Sequence, residues 1–143
     1  MKYSIILDSN REEEILIYAH EKNALVERIE AIIKEESVGI VGYREGEIVK
    51  LAEMDIACVT VEGGQVYVLT DDEKYQVRQR LYQMEELLGE DFVKINQSCI
   101  VRVSEIERFN TSLSGALNVT LKNGFKDYVS RRQLRAVKER MGI

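Results

Sequence analysis

The spacing of apolar residues changes several times along the chain, and each spacing predicts an element. Residues 2–8 read as a strand, Asp8-Ser9-Asn10-Arg11 supplies turn chemistry, and Glu14–Ala19 reads as a returning strand, so the chain opens on a candidate hairpin. A helix over 12–20 is the rival there, because Glu12-Glu13-Glu14 suits a helix start. In residues 21–36, Leu25, Ile29, Ile32 and Ile33 recur at helical spacing, with Glu27, Arg28, Glu30, Lys34 and Glu35 around the rest. This predicts an amphipathic helix packed on the hairpin. Strand and turn signals then alternate. Val38–Tyr43 and Ile48–Leu51 flank Arg44-Glu45-Gly46-Glu47, Ile56–Val61 and Val66–Thr70 flank Gly63-Gly64, and Tyr75–Arg78 follows Asp71-Asp72-Glu73. Leu81, Met84, Leu87 and Leu88 fall on one helical face and predict a short helix over roughly 79–88, ended by Gly89. Phe92–Asn96, Glu105–Phe109, Gly115–Leu121 and Phe125–Val129 read as strands, the last two joined by Lys122-Asn123-Gly124. Ser130 can cap a final helix that turns Leu134, Val137 and Met141 inward. The sum is an α+β chain, mostly antiparallel β with short helices.

Composition changes this picture little. A chain of 143 residues, 45% hydrophobic and 31% charged, suits one domain with a small extension and a real core. No apolar run approaches the roughly 18 residues of a membrane helix. Asp8 interrupts the N-terminal apolar stretch too early for a secretory leader, which points to the cytoplasm. Cys58 and Cys99 lack metal spacing and are expected as buried thiols. His20, the one histidine, is expected at the surface. Gly63-Gly64 lacks the lysine and following helix of a phosphate loop, and no nucleophile–base pair or metal-ligand cluster is legible. Neither an enzyme nor a cofactor is expected.

Charge changes it more. Residues 91–143 hold ten Lys/Arg against five acids, a net +5 within a chain of net −5, so residues 1–90 carry −10. A basic module at one end of an acidic chain suits a polyanion, whose counterions are released by Lys/Arg contacts.

The basic third also carries a motif. Phe92-Val93-Lys94-Ile95-Asn96-Gln97-Ser98-Cys99-Ile100-Val101-Arg102 is followed by Ile106, by Lys122-Asn123-Gly124 and by Tyr128-Val129-Ser130-Arg131-Arg132. In order and spacing this resembles the LytTR family of bacterial DNA-binding domains, whose members read F-x-R-x-x-K-S-x-I-V-N, then a K-N-G hairpin, then V-S-R-R before the last helix. Ile56–Val61 with Glu62 matches the family's opening strand, and Leu81–Leu88 its helix, so the resemblance covers roughly residues 50–143. Two positions depart from the pattern: Gln97 stands for a Lys or Arg, and Arg102 for an Asn. The change at Arg102 either adds a phosphate contact or only alters a structural cap, and both departures bear on the DNA sequence read more than on the fold.

The resemblance implies a stand-alone regulator without a receiver domain. Residues 1–49 would form a small α+β extension, for dimerisation or for docking a regulator, and residues 50–143 the DNA-binding domain. It implies that loops enter successive major grooves of double-stranded DNA. Carried over by position, Gln65, Asn96, Gln97, Arg131 and Arg132 would reach bases, while Lys94, Ser98, Arg102 and Lys126 would hold phosphates. A homodimer on DNA and a regulatory membrane-protein partner are further implications. Independently of any family, Arg131 and Arg132 fall in the first turn of the last helix, where the helix dipole disfavours cations by a few tenths to about 1 kcal/mol. An external anion would relieve that conflict. The alternative is a β-rich adaptor whose basic face meets an acidic protein.

Overall fold

The computed structural model describes residues 1–37 and 39–143, and of residues 35–37 the backbone alone. Val38, expected to open a strand, and the Glu35 side chain, expected on the polar side of the first helix, lie outside the described residues. The chain divides into two compact units, Met1–Ile33 and Lys34–Ile143.

In the first unit the expected hairpin does not form. Residues 1–22 contain no strand among the described residues, and no helix over 12–20. The turn chemistry is present, with Asn10 N donating to Asp8 Oδ1 at 2.9 Å, but a turn alone does not hold two strands. An isolated two-stranded hairpin is marginal in water without a surface to cover its apolar face. Here Ile5, Ile6, Leu7, Ile15 and Leu16 stay exposed. Helix α1 spans Ala24–Ser37, its start capped by Asn23, whose Oδ1 accepts from Val26 N at 3.0 Å. Leu25 and Ile32, expected on its buried side, are 44% and 61% exposed.

The second unit is built on a seven-stranded antiparallel sheet. Its strands are β1 (Ile40–Arg44), β2 (Glu47–Leu51), β3 (Cys58–Glu62), β4 (Gln65–Leu69), β5 (Lys74–Val77), β6 (Phe92–Asn96) and β7 (Cys99–Arg102), in the spatial order β2-β1-β5-β4-β3-β7-β6. The hairpin β1–β2, expected with the N-terminal extension, is therefore hydrogen-bonded into this sheet, through Tyr43 and Gln76. Gly42 permits that approach, since a Cβ there would lie 2.7 Å from Tyr75 Cβ. A second sheet holds β8 (Ile106–Thr111), β9 (Leu117–Leu121) and β10 (Lys126–Val129) in the order β10-β9-β8. Helices α2 (Leu81–Leu87) and α3 (Arg131–Met141) complete the unit, and no helix of the described residues is long and apolar enough to cross a membrane.

Two cores cover the two faces of the large sheet. On one face Val59, Val68, Val77, Ile100 and Phe92 pack with Leu81, Met84 and Leu88 from the α2 segment. Leu87, expected on that helical face, is 37% exposed instead. On the other face Cys58, Cys99, Val101 and Ile95 pack with Val119, Leu121 and Val129 of the second sheet and Val137 of α3. Val137 is fully buried, and burying such a side chain contributes about 1.5–3 kcal/mol to holding α3 in place. Strand β7 was not expected as a strand of its own. It lies inside the sheet between β3 and the edge strand β6, with Cys99, Ile100 and Val101 buried on both faces, so its sequence lacks the alternation of a half-exposed strand.

Candidate nucleic-acid interface

Three turns expected far apart in sequence meet at one edge of the unit. The first joins β3 to β4 through Gly63 and Gly64, both at positive φ (56° and 78°), a geometry only glycine adopts without strain. The second joins β6 to β7 through Gln97 and Ser98. Its Ser98 carbonyl accepts from Val61 N at 2.9 Å, which seats it beside the end of β3. The third leads from β10 into α3. Ser130 N donates to Ile95 O at 2.9 Å, fixing the start of α3 against β6.

Asn96 locks the second turn to the third. Its Nδ2 donates to Asp127 Oδ2 at 3.0 Å and to the Tyr128 carbonyl at 2.8 Å, and its Oδ1 accepts from Ser98 N at 2.8 Å. Both amide hydrogens are thereby engaged, and the residue is 1% exposed. Asn96 was expected to read a base; the structure makes it an internal strut with no donor left for adenine. Its neighbours Gln97 and Ser98 are exposed at the tip.

Ser130 caps α3 as expected, its Oγ accepting from Gln133 N at 3.3 Å. The first turn contains no acid, and Arg131 and Arg132 are exposed with no ion-pair partner among the described residues. Two cations thus stand at the positive end of a helix with nothing to offset them. Lys126 borders the same edge. With Thr60, Glu62, Asn96, Ser98 and Tyr128 it lines an open cleft of about 320 Å³. The acids there are engaged: Glu62 pairs with Lys74 at 2.5 Å, and Asp127 accepts from Asn96 and from its neighbour's Tyr128 N. Gln65 is exposed beside Gly64, and its Oε1 accepts from Gln76 Nε2 at 2.7 Å.

Two expected contacts lie elsewhere. Lys94 pairs across to Ile100, on the sheet face that carries the α2 core, and is half-buried. Arg102 sits at the far end of β7, its side chain 12% exposed. Its Nε donates to Ile56 O at 2.8 Å, its Nη2 to Glu53 O, and its guanidinium lies 4.5 Å from the Phe92 ring centre. It was expected to hold a phosphate; it ties a 3-10 turn, Glu53–Asp55, to the sheet instead. The strut partner Asp127 was missed, because nothing local in sequence links it to a residue 31 positions away.

The opposite end of the sheet is acidic, with Asp55, Asp71, Asp72, Glu73 and Glu105 around a shallow recess. Such polarity turns a molecule so that its basic edge leads toward a polyanion. The buried thiols belong to the second core. Burial, with Asp127 and Glu62 nearby, pushes Cys58 up to about 12, and burial beside Cys58 and Asp127 pushes Cys99 up as well, so neither is a ready nucleophile.

The second unit is thus a sheet-based domain whose turns gather basic and amide side chains at one edge. Residues 46–142 match the LytTr DNA-binding domain, and the chain belongs to that family. It is 30% identical to an uncharacterized HTH-type transcriptional regulator of Staphylococcus aureus strain NCTC 8325 / PS 47 over 146 aligned positions, covering 100% of this chain and 99% of the relative. A second such regulator, from strain MRSA252, matches at the same identity and coverage. Among solved structures, a LytTr DNA-binding domain from Bacillus cereus shares the fold with a TM-score of 0.67 at 17% identity, over 73% of this chain and 98% of that one. Despite the relatives' label, α2 and α3 here are separated by five strands and form no helix-turn-helix.

Proposed function

We propose that this chain is a transcription regulator that binds double-stranded DNA sequence-specifically, inserting its turns into successive major grooves. The observation that carries this reading is the joining of three turns at one edge by Val61–Ser98, Asn96–Asp127 and Ser130–Ile95 contacts, with Arg131 and Arg132 unneutralised there. In this reading Gln97, Arg131 and Arg132 reach base edges, Gln65 reaches the neighbouring groove, and Ser98 and Lys126 hold phosphates. Amide and guanidinium groups suit adenine and guanine respectively, because each can make paired hydrogen bonds to the major-groove edge. Family membership of residues 46–142 and the naming of its relatives as transcriptional regulators support the same reading.

Binding as a homodimer to repeated half-sites in the cytoplasm belongs to this proposal, since a second linked module multiplies affinity. The exposed apolar side chains of residues 3–18 are suited to that contact or to a regulatory partner. The test is selection of bound duplexes from a random library, followed by footprinting. Enrichment of one spaced repeat is expected. A folded protein that shifts no duplex at low salt in the presence of heparin would overturn the reading and favour a protein-binding adaptor.

A further inference from the structure

Strand register carries a row of polar side chains from the turn edge out along the uncovered part of the sheet. In the β4–β5 ladder Val66 faces Val77 and Tyr67 faces Gln76, and β1 joins through Tyr43 and Gln76. Residues two apart share a face, so Gln65, Tyr67, Lys74, Gln76, Arg78 and Tyr43 stand on one side, while Val66, Val68, Tyr75 and Val77 turn to the α2 core. The contacts agree. Gln76 holds Gln65, Lys74 Nζ lies 4.4 Å from the Tyr67 ring centre, and the Arg78 guanidinium lies 4.5 Å from that of Tyr43.

The two cations of this row differ in one respect. Lys74 is paired with Glu62 at 2.5 Å. Arg78 is exposed and has no acidic partner among the described residues. A tyrosine ring beneath it restrains the long side chain but leaves the full positive charge in place. Arg78 directly follows Val77, whose partner Val66 is next to Gln65 at the start of β4, so it leaves β5 at the end of the sheet that carries the β3–β4 turn. A guanidinium held beside a groove-entering turn is placed for the phosphates that flank that groove.

We propose that Arg78, propped on Tyr43, is a DNA-phosphate contact at the outer border of the interface. Tyr43 lies before the matched residues 46–142, so the β1–β2 hairpin serves as a positioning element for DNA binding. This rests on the DNA-binding reading above. The experiment is fluorescence anisotropy with the full chain, on a library-selected duplex and on a scrambled one, across a salt series. Arg78→Ala lowers affinity about three- to tenfold on both duplexes and flattens the slope of log K against log salt by about 0.9. Arg78→Glu lowers it further. Tyr43→Leu gives a smaller loss with the slope kept, and Tyr43→Phe restores wild-type binding. Lys50→Ala, which removes the same charge from exposed β2, changes neither quantity. Wild-type affinity and slope in Arg78→Ala, or an equal effect in Lys50→Ala, overturn the proposal while the DNA reading stands. Failure of the wild-type chain to bind either duplex sinks both.

Discussion

Arg102 and the Arg131-Arg132 pair lie at different ends of the second unit and spend their charge differently. Arg102 gives its N–H groups to the carbonyls of Ile56 and Glu53 and lies against Phe92, 12% exposed. Arg131 and Arg132 open α3 in solvent, without an acid in their turn. In the sequence both read alike as basic residues of the C-terminal third. The difference teaches that a cation's role follows from where its hydrogens go: a guanidinium already satisfied inside the fold stabilises it, and one left unsatisfied at a helix start is available to an anion.

Mutations sharpen that contrast. Arg102→Ala leaves two carbonyls without donors and should lower stability by about 3 kcal/mol, since hydrogen bonds to charged groups contribute about 1.5–3 kcal/mol each. Urea denaturation reads this loss, and the folded fraction should keep its affinity for DNA. Asn96→Ala removes a strut with three hydrogen bonds, and a loss of about 2 kcal/mol is expected on the same scale. Unlike Arg102→Ala, it should also weaken DNA binding, because the Gln97 turn is no longer held to α3.

Arg132→Ala should do the reverse. It costs about 1–3 kcal/mol of binding to the selected duplex if Arg132 reads a base, with unchanged or slightly raised thermal stability. An equal loss on all duplexes with a shallower salt slope would make it a phosphate contact instead. A fall in stability matching that of Arg102→Ala would erase the contrast.

The smallest effect is a pH effect in the second core. The Cys58 thiol is raised in the fold from 9.0 to about 12, so the unfolded chain ionises first. The stability this lends is present below pH 9.0 and is lost as pH climbs toward about 12. Cys58→Ser with Cys99→Ser should remove that part of the alkaline decline, read as melting temperature against pH. Below pH 9, slow labelling of both thiols in the native state and fast labelling in urea is the companion result.

Local signals in the sequence located most of the second unit. Gly63-Gly64 and Lys122-Asn123-Gly124 marked turns because backbone geometry there demands glycine, and Ser130 marked the start of α3 because its hydroxyl replaces a missing helical partner. They misled where a signal needs a surface to act on. Residues 2–19 carry strand-like apolar runs and a real turn at Asp8–Asn10, yet form no hairpin, since pairing alone does not offset the entropy of ordering. Strand β7 was hidden for the opposite reason, being covered on both faces.

By itself the sequence determined the α+β class, the turns, the cap of α3 and the family, all of which rest on short-range geometry or on motif order. Only the tertiary structure decided which polar residues are structural. Asn96, Gln97 and Ser98 are neighbours in the chain, but Asp127 and Tyr128 approach from 31 and 32 positions away and consume the amide of Asn96 alone. Hydrogen-bond capacity is finite, and its partners are chosen by folding rather than by proximity in sequence.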